Sequence, residues 1–286
     1  MSCVAADIFR QAARLNRDDP RRRGNLIQLE PTDQVIVTGD IHGNRQALAR
    51  ILAFSNRRPG PWRLILQEII HGPLEPCGAD RSAELLLRAA RVKVERPDQV
   101  LFLMGNHDLA QITGAEINKG GGGACDAFCQ GLRLVFEDQA DEVAPAVDEF
   151  LRSLPMAIRC PNRVFITHSL PSPHRMPAEP TDVLTRPYRD GDFDRGGDAY
   201  EWTWGRHQTP EQTDELARRL DVDFFILGHR RTPSGCELIL PRVLTLACDH
   251  SHGCIMCFRA DQPFDPNRLC DCLKYLAEIL PDGSTA

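Results

Sequence analysis

Short apolar runs, each closed by a polar cluster, set the rhythm of this chain. Val35-Ile36-Val37 leads into Thr38-Gly39-Asp40-Ile41-His42-Gly43-Asn44, after which Leu48, Ile51 and Leu52 form one helical stripe with Asn44 as N-cap. Arg63-Leu64-Ile65-Leu66 predicts a second buried strand, followed by a Gly/Pro-rich loop and a helix presenting Ala83, Leu86, Leu87 and Ala90. Val100-Leu101-Phe102-Leu103 predicts a third strand running into Gly105-Asn106-His107-Asp108. Ahead of these, Val4, Ile8, Ala12 and Leu15 recur at helical spacing, and Arg21-Arg22-Arg23-Gly24 reads as a solvated linker.

Residues 107–154 read as mostly helical, interrupted by Lys119-Gly120-Gly121-Gly122-Gly123, where four glycines carry a high ordering entropy and predict a mobile loop. Residues 156–159 and 163–166 predict a hairpin around Pro161-Asn162, its second arm ending at Thr167-His168-Ser169. Residues 170–198 lack periodicity, which suggests a structureless functional loop or lid. A short helix near 210–220, a strand over 223–227, a final β pair over 243–246 and 254–258, and a helix over about 267–280 complete the reading. Strands alternating with helices predict an α/β architecture, organised as an N-terminal helix and basic linker (1–24) and one domain (25–286).

Composition narrows the class. The chain has 286 residues, 42% of them hydrophobic, enough to bury a substantial core. With 34 basic against 40 acidic residues, the net charge of −6 argues against a nucleic-acid polymer as partner. No apolar run reaches membrane-spanning length, and Asp7 and Arg10 stand where a signal peptide needs an apolar centre, so a cytoplasmic location is expected. The 11 cysteines are an odd number, and in a reducing compartment a disulfide framework is not expected. Cys254, Cys257, Cys270 and Cys272 lack the facing geometry of a zinc site. Glycines 120–123 lack the Lys-Ser/Thr of a nucleotide loop.

The chemistry collects at the strand ends. Asp40 and His42, Glu68, Asn106-His107, His168 and His229 each follow an apolar run, and they are ligand types for Mn, Fe or Zn. Asp40 and His42 are two apart, so extended backbone would aim both to one side. Singly, each residue is ordinary for a turn; imidazoles recurring at so many strand ends are not.

In order and spacing, Gly39-Asp40-Ile41-His42-Gly43, Gly105-Asn106-His107-Asp108, His168 and Gly228-His229 resemble the calcineurin-like metallophosphoesterase superfamily. The likeness is strongest to its branch of protein serine/threonine phosphatases and diadenosine-tetraphosphatase-like enzymes. His168-Ser169-Leu170-Pro171-Ser172-Pro173 is similar to that branch's H-G-G-L-S-P segment, and the resemblance spans about 34–258. It implies a central β-sandwich of mixed sheets flanked by helices, in four α-β-β-α layers. It also implies two divalent transition-metal ions: Asp40 and His42 would bind the first, and Asn106, His168 and His229 the second. Where the family has G-D-x-x-D-R-G, this chain reads Gln67-Glu68-Ile69-Ile70-His71-Gly72-Pro73. Glu68 then takes the place of the bridging Asp, and His71 that of a second Asp.

By the same resemblance, a hydroxide held between the metals attacks phosphorus and His107 protonates the departing oxygen, with Asp108 a further candidate for acid catalysis. His71 is open to three roles: an added ligand, a partner of His107, or a substrate contact. Gly72 removes the family's arginine, so Arg230, ahead of Arg206 and Arg231, is the candidate to neutralise the phosphate, and the histidines of Asp249-His250-Ser251-His252 are further candidates for substrate contact. The expected function is hydrolysis of a phosphorylated protein or small phosphate ester. The alternatives are dinucleoside polyphosphate hydrolysis, or a pseudophosphatase binding module resting on the altered bridge. The oligomeric state is not legible.

Overall fold

The computed structural model describes residues 3–31, 34–115, 117–119 and 122–285. The chain opens with α1 (Val4–Arg17), whose buried Phe9 meets Phe150 at 5.8 Å between ring centroids. The short strands β1 (Arg22–Arg23) and β2 (Leu26–Gln28) follow, then β3 (Gln34–Asp40), α2 (Arg45–Asn56), β4 (Trp62–Gln67), α3 (Ser82–Glu95), β5 (Val100–Leu103) and α4 (Asn106–Thr113). A small ladder of β6 (Asn118–Lys119) and β7 (Gly122–Gly123) leads to α5 (Ala124–Phe136) and α6 (Ala140–Arg152). Next come β8 (Ala157–Arg159), β9 (Val164–Thr167), α7 (Asp182–Thr185), α8 (Asp198–Trp204), α9 (Pro210–Leu220) and β10 (Phe224–Leu227). The chain closes with β11 (Cys236–Leu240), β12 (Val243–Leu246), β13 (Cys254–Arg259), α10 (Leu269–Cys272) and β14 (Leu273–Tyr275).

The strands form a seven-stranded sheet, β1-β2-β8-β9-β10-β12-β11, and a five-stranded sheet, β14-β13-β3-β4-β5, both mixed. Period-two alternation explains how they stack. On β3, Val35 and Val37 enter an apolar layer with Ile65, Leu101, Ile158, Ile166, Phe224, Ile226 and Leu244, while Ile36 faces the opposite way into the helix-covered core. With both faces covered, the strands read as continuous apolar runs. The result is the expected four-layer α-β-β-α sandwich. No helix among the described residues is long and apolar enough to cross a membrane.

Several expectations are corrected. The arginine run is not a solvated connector: Arg22 donates to the carbonyls of Asn16, Ser153 and Gly24, and Arg21 is paired with Asp19. Residues 243–246 and 254–258 are not partners, because β12 pairs with β10 and β11 while β13 pairs with β3 and β14 in the other sheet. The 267–280 helix gives way after four residues to β14, which satisfies the otherwise open edge of β13. The 170–198 segment is ordered through Arg186, which bonds Asp182, Asp192 and Asp198, and through buried Val183 and Leu184. Charge pairing of that kind leaves no periodic signal. Of the four glycines, Gly122 and Gly123 pair with Lys119 and Asn118; Gly120 and Gly121 lie outside the described residues.

Candidate metal centre

Asp40 ends β3, Glu68 follows β4, Asn106 opens α4 directly after Gly105, His168 follows β9, and His229 comes two residues after β10. The sheets therefore deliver these side chains to one place, at the strand C-termini where α/β folds build sites. The approach is strained: His42, Glu68, His71 and His229 have φ of 42°, 37°, 59° and 65°. Each such non-glycine residue costs about 1–3 kcal/mol and persists only where its surroundings over-determine it. Here they do: Ile41 and His42 N–H both donate to Glu68 O, at 3.0 and 2.8 Å, Gly43 N–H donates to Ile69 O at 2.8 Å, and His42 Nδ1 lies 2.9 Å from Ile70 O.

Glu68, 2% exposed, faces two ways. Its Oε1 accepts the His107 N–H at 2.6 Å and lies 3.4 Å from His168 Nε2; its Oε2 lies 3.3 Å from His42 Nε2. On the Oε1 side, Asn106 Oδ1 has His168 Nε2 at 2.9 Å and His229 Nδ1 at 2.7 Å. Asp40 closes the group: its two oxygens accept the His229 N–H at 3.1 and 2.9 Å, and Oδ1 lies 3.6 Å from His168 Nδ1. Two sets of potential donors, His42-Glu68-His107 and Asp40-Glu68-His168, share Glu68. Glycine makes this closeness possible at two points. A Cβ on Gly105 would lie 2.1 Å from Glu68 Cγ, and one on Gly228 would lie 2.3 Å from Asp40 Oδ1. The longer Glu in place of Asp is thus housed against the bare Cα of Gly105.

Burial, followed by His229, His42 and Arg206, pushes the His168 imidazole well below its ordinary range; burial, followed by Arg206 and Arg230, pushes His229 down to about 3. Both rings are neutral at physiological pH and keep a lone pair for coordination. As hydrogen bonding alone the cluster is under-satisfied. One amide oxygen serves two imidazoles, and His168 Nδ1 is fully buried with no hydrogen-bond partner among the described residues. Two buried carboxylates, neutral imidazoles and an amide oxygen suit Mn, Fe or Zn, so the residues fit the expected cations.

Other candidates are placed differently. His71, expected as an added ligand, a partner of His107 or a substrate contact, is 1% exposed and bonded through Nδ1 to His107 Nδ1 at 2.9 Å and through Nε2 to Gln111 Oε1 at 3.0 Å. Asp108 turns back on its own helix, Oδ2 accepting the Gly105 N–H at 2.9 Å, and burial pushes its carboxyl up to about 7. Arg230 is half-buried and Arg206 exposed, both close enough to act on His229. A cavity of ≈ 450 Å³ opens beside His42 and is lined by Asn44, Arg45, Arg50, Asp249 and His250. Sequence reasoning missed Gln111 and the packing roles of Gly105 and Gly228. Gln111 could have been found, since it lies four residues after His107 on one helix and so shares its face.

With that geometry in hand, residues 34–230 match the calcineurin-like phosphoesterase family, and the chain belongs to it. Among solved structures it is similar to a protein serine/threonine phosphatase from Saccharomyces cerevisiae, at TM-score 0.63 and 18% identity over 92% of this chain and 86% of that one. It is also similar to a cold-active protein-tyrosine phosphatase from a psychrophilic Shewanella, at TM-score 0.53 and 14% identity over 84% and 79%. At those identities the likeness is one of fold. No curated protein sequence matches the chain.

Proposed function

We propose that this protein is a dinuclear-metal phosphoesterase acting on phosphate monoesters, with a protein-phosphatase-like ligand set. The observation that carries the reading is Glu68, whose two carboxylate oxygens face separate groups of donors, as a bridge must. On the family pattern Asp40 and His42 would hold one ion and Asn106, His168 and His229 the other, with Glu68 shared; Asp40 Oδ1 also stands 3.6 Å from His168 Nδ1, on the side of the second group. Such a pair, when bound, supplies an activated water and neutralises phosphate oxygens.

The chain's own residues supply the rest. Arg230, with Arg206 nearer solvent, draws the phosphate toward the cluster and offsets its charge. His107 presents a proton to the departing oxygen, held by its backbone bond to Glu68 and its ring bond to His71. Asp108 caps α4 and is left out of the chemistry.

The test is turnover of an aryl phosphate with and without added Mn, alongside phosphopeptide and dinucleoside polyphosphate substrates. Mn-dependent hydrolysis with preference for phosphopeptide is the expected result. Preference for the dinucleotide would move the substrate class. Metal binding without turnover of any substrate would make the chain a binding module.

A further inference from the structure

His71 has a positive φ, sits under 2% exposed, and packs its ring edge-on to Phe128 and His107 at 5.8 and 5.1 Å. Its two ring nitrogens meet different partners. Nε2 lies 3.0 Å from Gln111 Oε1, and with the amide turned that way its nitrogen points to Cys129 Sγ at 3.6 Å. An amide oxygen only accepts, so the hydrogen lies on His71 Nε2, and a neutral ring protonated there carries its lone pair on Nδ1. The 2.9 Å contact between His71 Nδ1 and His107 Nδ1 must then be donated by His107.

We propose that Gln111 and His71 form a charge-free relay that fixes His107 as an Nδ1–H donor, so that its proton exchange with substrate runs through Nε2; this rests on the phosphoesterase reading above. The relay needs no rearrangement during the reaction. As a water oxygen bonds to phosphorus, the scissile P–O bond breaks with its electron pair on the leaving oxygen, and His107, doubly protonated at the start of the step, gives its Nε2 proton to that oxygen. His107 is left as the neutral Nδ1–H tautomer, still donating to His71 Nδ1. His71 and Gln111 are positioning residues, doing by hydrogen-bond direction what a carboxylate would do by charge.

Nitrogen-15 histidine NMR of the wild-type protein, recorded at alkaline pH, reads the tautomers without reference to activity. The expected spectrum shows His71 protonated on Nε2 and His107 on Nδ1; His71 protonated on Nδ1 overturns the proposal. In kinetics, His71→Ala should lower kcat about 10–100-fold with KM and metal content unchanged, as for a misplaced catalytic group. His71→Asn should recover most of it, because its amide oxygen can accept from His107 and Asn tolerates positive φ. Gln111→Met, on a half-exposed helix position, tests the outer link without emptying the core. It should lower kcat, and Gln111→Glu, which also accepts, should restore it; an unchanged kcat in Gln111→Met overturns the relay. If the wild type hydrolyses no phosphate ester, the function fails while the NMR still decides the tautomers.

Discussion

Replacing Gly105 with alanine should cost both stability and metal. The added Cβ would stand 2.1 Å from Glu68 Cγ, 2.3 Å from Oε1 and 2.6 Å from Cδ, against about 3.5–4.0 Å for a comfortable carbon contact. Glu68 must therefore retreat by more than 1 Å (roughly, from those contact distances). The backbone of Gly105, at φ −104° and ψ 175°, is open to any residue, so the loss is steric and not torsional. A retreat lengthens the 2.6 Å bond from His107 N–H and shifts Oε2 from its place 3.3 Å from His42. Overpacking costs about 1–3 kcal/mol and an unmade buried hydrogen bond about 1–3 more. At about 2–4 °C per kcal/mol, Tm should fall by roughly 4–24 °C. Because ligand distances tolerate only about 0.2 Å, bound metal should drop below two ions per chain. Thermal denaturation and elemental analysis read both effects. Gly191→Ala, where a Cβ meets nothing within 4 Å, is the control and should stay within about 0.5 kcal/mol. Wild-type Tm and metal content in Gly105→Ala would falsify the packing argument.

His107→Ala should keep metal content near wild type and lower turnover about a hundredfold or more; equal activity would remove His107 from the mechanism. Chelation should lower Tm and Mn should restore it, since an ion at 100 times its Kd adds about 2.7 kcal/mol; a Tm indifferent to chelator would mean the cluster holds no ion. Lys93 is fully buried, and its Nζ donates to Pro97 O at 2.8 Å. Burial pushes its ammonium down to about 8, while the unfolded chain keeps an ordinary lysine. Between about pH 8 and 10.5 the unfolded state holds a proton the folded state has lost, so stability rises with pH, by at most about 3 kcal/mol. Denaturant melts of wild type and Lys93→Met across that window should differ by this rise. Parallel curves would place the lysine's charge in water.

The proposed ligand residues were legible because their chemistry is local. Asp40, Asn106, His168 and His229 each follow a run of β-branched and large apolar residues, and periodicity places them at strand ends. For His71 the sequence left three roles open, a partner of His107 among them, and could not choose between them. The partners of His71 lie 36 and 40 residues away on α4, and which nitrogen faces which group is a matter of ring orientation. Asp108, beside His107 in the chain, bonds back to Gly105 because a residue at the third helical position reaches its own N-cap.

By itself the sequence determined the alternation of strand and helix, the residue types at the strand ends and the altered bridge segment, since these follow from propensity, period and side-chain chemistry over a few neighbouring residues. Tertiary structure alone decided which sheet β12 and β13 joined, that the C-terminal segment became an edge strand, that Arg186 ordered the 170–198 loop, and that the two oxygens of Glu68 faced different histidines. Those outcomes depend on contacts between segments far apart in the chain, where edge satisfaction, burial and the space left by two glycines outweigh local preference.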